Sequence, residues 1–373
     1  MRILLIRLRL IGDVVFTTPA IRALRRRYPD ARLVYLVEDA AAPVVARNPH
    51  LNDVRSVPRR SGIGRVLEDL RLARTLRRER YDLVIDFHGG PRSSLLTWLT
   101  GAPRRLGYTV KGRSWMYTEA VSRPRALRPR HSVENQWDLL AALGIGTPDP
   151  ARDPVEMPAD PEADMTVAER LRMAGVGPGH RVIVVHVSAG NPFRRWPASG
   201  FAALTASLAA GPSRRVILTS GPSEAGAADA VARAAQGQLP ASLAHHVVRC
   251  GEFDLIQLRA LVERAALFIG GDSGPLHVAS TTRTPIVGLY GPTLPVRSAP
   301  WRRSSLVSAA VEAGPLPCRP CDQRVCAPGD YRCLTRIPAD AVLHEAERLL
   351  ASDDGRASSP ELAPTREPAG QPS

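Results

Sequence analysis

Residues 268–293 read FIGGDSGPLHVASTTRTPIVGLYGPT, a stretch that fits a buried strand, a tight turn, a helix start and a second strand into one unit. Residues 266–269 are apolar and run into Gly270 and Gly271, as a parallel-sheet strand does when it empties into a turn that backbone must approach closely. Asp272, Ser273 and Gly274 follow. Pro275 suits the first turn of a helix, where its missing N–H would have no intrahelical partner. The unpaired N–H groups and partial positive charge of such a helix start suit a phosphate. Residues 286–290 supply the next strand. The unit is half of a nucleotide-binding βαβ motif, but it lacks the G-x-G-x-x-G spacing of a dinucleotide fold.

The same alternation extends in both directions. Upstream, strands are expected at 182–187, 216–219 and 247–250, with helices near 225–235 and 255–265. The first half of the chain repeats the pattern. A strand at 3–6 enters the turn LRLIGDVVFTT, and Thr18 caps a helix with Pro19 at its first position. A second strand spans 32–37, a helix 40–46, a long basic helix 64–80, a strand 82–87 and a helix 132–143. Gly12 and Asp13 then lie beyond a first strand, where open α/β sheets bind ligands. Residues 144–161, GIGTPDPARDPVEMPADP, are rich in Pro and Asp and mark a boundary. The expected layout is α/β, with one Rossmann-like domain at 1–150, a second at 160–350, and a tail at 352–373 too poor in apolar residues to fold.

The 373 residues allow two cores. No apolar run reaches the length of a membrane span, and the N-terminus enters a strand pattern directly, so a cytoplasmic protein is expected. The net charge of +14 is carried almost wholly by arginine, Lys111 being the only lysine. Attraction to phosphorylated or membrane-bound anionic substrates and a generally basic surface both account for it. Nucleic acid is not indicated, because the arginines are spread over many helices and no recognition module is present.

Three segments in order, MRILLIRLRLIGDVVFTTPAIRAL, VHVSAGNPFRRWP and GGDSGPLHVASTTRTPIVGLYGPT, carry a resemblance over residues 1–345. The chain resembles the glycosyltransferase family 9 heptosyltransferases, which add heptose from ADP-heptose to the inner core of lipopolysaccharide. The resemblance implies a GT-B fold: two Rossmann-like domains with parallel sheets facing across a cleft, acceptor on the first and nucleotide-sugar on the second. It also implies work at the cytoplasmic face of the inner membrane.

By that resemblance Asp13 is the general base of an inverting transfer, a task that needs a carboxylate near the acceptor hydroxyl; a plain helix-capping Asp is the alternative. Arg194 stands where relatives have a lysine two residues before Trp-Pro, and Arg195 adjoins it; either can meet a diphosphate. Asp272, Ser273, Gly274 and His277 align with the nucleotide-sugar site. Glu224 matches an acid that contacts ribose, although it also reads as the first turn of an ordinary helix. Ser188 follows a strand into the same pocket. Arg60, Arg92, Arg104, Arg105 and Lys111 are candidates for the anionic acceptor, with surface charge as the ordinary alternative.

Cys318, Cys321, Cys326 and Cys333 form C-x2-C-x4-C-x6-C, a crowding that suits a structural zinc or a reduced loop. Cys250 reads as a core thiol. No D-x-D motif is present, so transfer without a metal cofactor is expected. The alternatives are a transferase or epimerase using another nucleotide-sugar, and a non-catalytic binding protein of the same fold.

Overall fold

The computed structural model describes residues 1–59, 62–122, 130–221 and 224–357. Two apolar strands organise it. β1 (Arg2–Ile6) is buried on both faces from Ile3 onward, with Ile3 and Leu5 in one core cluster and Leu4 and Ile6 in another. That division follows from the two-residue period of a strand. Around it lie β2 (Arg32–Glu38), β3 (Asp53–Val57), β4 (Leu83–Asp86), β5 (Arg104–Tyr108) and β6 (Glu119–Val121), in the order β3-β2-β1-β4-β5-β6. All pairs are parallel; for example, Leu4 pairs with Val34 on one side and Val84 on the other.

The second sheet repeats this plan. β7 (Arg181–His186) is followed by β8 (Arg214–Thr219), β9 (Val247–Val248), β10 (Leu267–Gly271), β11 (Ile286–Tyr290) and β12 (Ser308–Glu312), ordered β12-β11-β10-β7-β8-β9 and again all parallel. Counted within each half, both sheets have the order 3-2-1-4-5-6, the doubly wound arrangement in which ligands bind beyond the carboxyl ends of the strands. Two such units facing across a cleft form the GT-B architecture.

The sequence reading differs from the structure at several points. Residues 11–15, expected in a turn, form a short helix, Ile11–Val15. β3, β5, β6 and β12 were not anticipated; they carry charged residues and sit towards the sheet edges, half exposed, so the apolar pattern is weak there. The Pro-rich segment at 144–161 is laid against the first domain. Asp153 is fully buried beneath Arg26 and Arg152, Glu156 meets Arg22 and Asn48, and Val155 and Met157 enter the first core. The last helix, Ala339–Ala357, includes residues 352–357 that were assigned to the tail. Residues 358–373 lie outside the described residues.

Candidate active site

Where β1 ends, the chain turns into the helix Ile11–Val15 that carries Asp13. The backbone carbonyl of Asp13 accepts hydrogen bonds from Thr17 Oγ1 (2.8 Å) and Gln136 Nε2 (3.3 Å). Tyr35 holds Thr17 in turn with a 3.0 Å hydrogen bond from its hydroxyl. The Asp13 carboxylate pairs with Arg7 and stays 32% exposed, while Arg7 also donates to the Phe87 carbonyl (2.6 Å). Arg7 directly follows β1 in the sequence. Asp13 is thus a positioned, solvent-reached carboxylate beyond the carboxyl end of a central strand, and neither side chain nor backbone serves as a helix cap.

On the other side, β10 delivers Asp272, Ser273 and the six-residue helix Gly274–Ala279. Asp272 is 1% exposed. Its Oδ1 lies 3.4 Å from His277 Nε2, and its Oδ2 lies 3.3 Å from Arg194 Nη1 and is bonded by the Thr293 hydroxyl. Burial opposes the charge on this carboxylate, but His277, Arg194 and Thr293 outweigh burial and hold its pKa down to about 2. Arg194 also donates to the Asp272 carbonyl (3.0 Å) and to Gln323 Oε1 (2.7 Å). Thr293 closes the same motif but was given no role, and Gln323 reaches Arg194 from the cysteine-rich segment.

Two atoms of this loop, Ser273 Oγ and His277 Nδ1, are buried without a hydrogen-bond partner among the described residues, and Asp272 Oδ1 has only the long 3.4 Å approach of His277 Nε2. An unsatisfied buried polar group costs about 1–3 kcal/mol, and such groups side by side in one loop call for an external partner.

The two sides meet directly. An ideal Cβ on Gly12 would collide with Cδ2 of His277 and lie 3.1 Å from its Nε2, and one on Gly274 would lie 3.1 Å from the Cβ of Ile11. Phe16 packs on the His277 ring with centroids 4.5 Å apart. Behind it, His131 is sandwiched between Phe16 and Trp301. Its Nδ1 accepts from Val133 N (3.1 Å) and its Nε2 donates across the seam to the Ala299 carbonyl (2.9 Å). Burial, with His277 adding to it, lowers the His131 pKa to about 4 despite the Ala299 bond, so the ring is neutral and its tautomer is set by these two bonds.

Arg195 and Glu224 form a pair at 2.7 Å, and Arg195 also donates to the Ala189 carbonyl (2.9 Å). Ser188 is buried. Its hydroxyl accepts from Gly221 N (2.7 Å) and lies 3.0 Å from His186 Nε2, tying the loops after β7 and β8 together. The structure therefore gathers Arg194, Asp272, Ser273, Gly274 and His277 at the seam facing Gly12 and Asp13. Arg195, Glu224 and Ser188 form the adjoining wall, with their polar groups already engaged.

The acceptor candidates do not form one group. Arg60 lies outside the described residues. Arg92 is held by Asp69 (2.7 and 3.0 Å) and Glu38 (3.4 Å). Arg104 pairs with Glu119, and Arg105 donates to the Met116 and Ala102 carbonyls. Both of these open β5, at the end of the sheet opposite Asp13, because parallel strands all begin at the same edge. Lys111, in the turn after β5, is exposed on the crevice side.

Cys318, Cys321, Cys326 and Cys333 are free thiols lining one cavity of about 60 Å³. Burial first, and then the three neighbouring thiols, raise the pKa of Cys333. Among the described residues, no three His, Cys, Asp or Glu side chains are gathered closely enough to hold a metal ion. Cys250 is half-buried, and burial raises its thiol pKa.

The family profile for glycosyltransferase family 9 (heptosyltransferase) matches residues 69–331. Lipopolysaccharide heptosyltransferase 3 of Escherichia coli is 28% identical over 345 residues, 91% of this chain and 97% of that protein. Among solved structures, the family 9 glycosyl transferase of Veillonella parvula superposes with a TM-score of 0.78 at 23% identity, covering 94% of this chain and 97% of the other. E. coli heptosyltransferase WaaC with ADP-2-deoxy-2-fluoro heptose gives 0.66 at 20% identity, covering 93% and 99%. With two doubly wound domains, a carboxylate and an unsatisfied polar loop facing each other at their seam, and a profile match over most of its length, the chain belongs to glycosyltransferase family 9 and is a glycosyltransferase.

Proposed function

We propose that the chain is an inverting transferase that moves heptose from ADP-heptose to the inner core of lipopolysaccharide, without a metal in the reaction. The observation that carries this reading is the facing arrangement at the seam. Asp13 lies on one side and the unpartnered Ser273 Oγ and His277 Nδ1 lie beside the Asp272 carboxylate on the other, as expected when an acceptor and a polar donor meet across a cleft. The relatives named for heptosyl transfer, over nearly their full lengths, supply the choice of sugar.

In this reading an acceptor hydroxyl displaces water at Asp13 and loses its proton to the carboxylate as its oxygen attacks the anomeric carbon. The diphosphate departs from the opposite face, so one displacement inverts the configuration. Arg194 is the cation nearest the leaving charge. The N–H groups at Ser273 and Gly274 add oriented dipoles there. His277, wedged against Gly12, sets the approach of the two domains and hence the distance between base and donor. Lys111 is the acceptor-side cation on the crevice side of the sheet. Among the described residues no helix is long and apolar enough to cross a membrane, and we place the work at the cytoplasmic membrane surface.

For the four cysteines we carry forward a structural zinc. The donor set of four thiols supports it, while their present spacing does not, since among the described residues no three ligands are gathered closely enough to hold an ion. No step of transfer runs through it.

The test is to incubate purified protein with ADP-heptose and truncated core acceptors, read the product by mass spectrometry, and read the new linkage by NMR. Heptosyl product with inverted anomeric configuration is expected. Transfer from a different nucleotide-sugar in preference to ADP-heptose would overturn the donor, and retained configuration would overturn the mechanism.

A further inference from the structure

The first domain carries a surface that the transfer reaction does not use. Helix 63–78 follows β3, helix 91–99 follows β4, and the short turn of helix 114–116 follows β5. The two longer helices lie on the same side of the sheet and are joined by the Arg92–Asp69 bonds. On the first helix, Leu67, Leu70, Arg71, Arg74 and Arg78 fall on one stripe at helical spacing, and all five are exposed. The opposite stripe, which includes Ala73 and Leu76, is buried in the core.

Beside this helix, Leu95 and Trp98 point outward one turn apart, and Trp98 meets Trp115 edge to face at 5.4 Å. Trp98 is 41% and Trp115 60% exposed. The other large apolar side chains exposed among the described residues are scattered along the chain. Arg71, Arg74 and Arg78 form no salt bridge among the described residues, whereas most other arginines of this domain are paired.

Exposed aliphatic and tryptophan side chains beside unpaired cations match the layered chemistry of an anionic bilayer surface. Tryptophan rings sit at the headgroup level, leucines reach below it, and arginines meet the phosphates above. A protein partner of ordinary composition would not call for so many unpaired arginines around the apolar side chains. We infer that this face of the first domain docks onto an anionic lipid surface, seating the protein reversibly on the membrane. The inference deepens the proposed function, resting on a membrane-held acceptor, but it is tested without one.

The experiment is flotation of the full chain with vesicles of phosphatidylethanolamine and phosphatidylglycerol, against vesicles of phosphatidylcholine alone, in low and high salt. Neither donor nor acceptor is present, so failure here leaves the assignment of transferase activity standing, and the converse also holds. The wild type should float with anionic vesicles only, and less in high salt. Trp98→Ser with Trp115→Ser, and separately Arg74→Glu with Arg78→Glu, should each weaken binding by about tenfold or more, with unchanged near-UV circular dichroism and ADP affinity. Equal partition to neutral vesicles, or variants that bind as wild type does, would overturn the proposal. So would a wild type that ignores vesicles and sediments as a dimer that Trp115→Ser dissociates, since the face would then cover a second copy.

Discussion

Gly12→Ala is the smallest change that tests the seam. The added methyl would collide with Cδ2 of the His277 ring and sit 3.1 Å from Nε2 and 3.3 Å from Cγ, where ordinary contact begins near 3.4 Å. His277 has little room to yield. It is 4% exposed, Phe16 lies on its face, and Asp272 stands 3.4 Å from its Nε2. Overpacking of this kind costs about 1–3 kcal/mol. Against it stands the preference of a helix for Ala over Gly, about 0.5–1 kcal/mol. The steric effect wins by about 0.5–2 kcal/mol, released either as lost stability or as a seam held open. Gly64→Ala is the control, being also helical but with nothing within 4 Å of its would-be Cβ; it should be neutral or slightly stabilising. The assays are thermal unfolding, calorimetric ADP binding and turnover. Gly12→Ala should lower Tm by about 2–4 °C or leave it and lower turnover at least about tenfold through misplacement across the cleft. Wild-type Tm and turnover together would refute the close approach of Gly12 to His277.

Arg194→Ala removes the nearest cation from Asp272 as well as from the diphosphate, and should weaken ADP binding by about 1.5–3 kcal/mol. Arg195→Ala should cost less, because Arg195 is held by Glu224; the opposite ranking by calorimetry would reverse the assignment. His131 and His186 have pKa values lowered to about 4 by burial. The folded state therefore binds fewer protons than the unfolded state between about pH 6.5 and 4, and stability falls as pH drops through that window. A Tm independent of pH there, or a slope untouched by His186→Asn, would contradict this. Zinc at the cysteines predicts one equivalent by elemental analysis and a lower Tm after chelation with ADP binding retained; metal-free protein with fully titratable thiols would identify a reduced loop.

The sequence was most legible where burial is continuous. β1, β7 and β10 are apolar on both faces, and β1 and β10 run into a helix start that carries Gly and Asp or Ser, so period and punctuation agree. It was least legible at the sheet edges. β5, with the sequence RRLGY, looks like surface because its first residues are half exposed. The donor loop was readable as a local motif that runs to Thr293, while Arg194, which also sets the charge state of Asp272, and its partner Gln323 come from other parts of the chain and cannot be found by spacing. Arg7 was closer to reach, as a cation ending a buried strand beside Asp13. The arginines chosen for the acceptor were judged by sign alone. Arg92 and Arg104 turned out to be paired, because a basic chain still places its carboxylates against guanidinium groups.

The account stands on Asp13 as the group that receives the acceptor proton, and the turnover of Asp13→Asn measures this most directly. The substitution keeps the shape, the Thr17 and Gln136 bonds to the backbone carbonyl and a polar contact for Arg7, but removes the basic oxygen. Turnover with ADP-heptose and core acceptor should fall by about 10²–10⁴-fold with ADP affinity unchanged. Turnover within about threefold of wild type would contradict the account, because the acceptor proton would then be taken by a group other than Asp13.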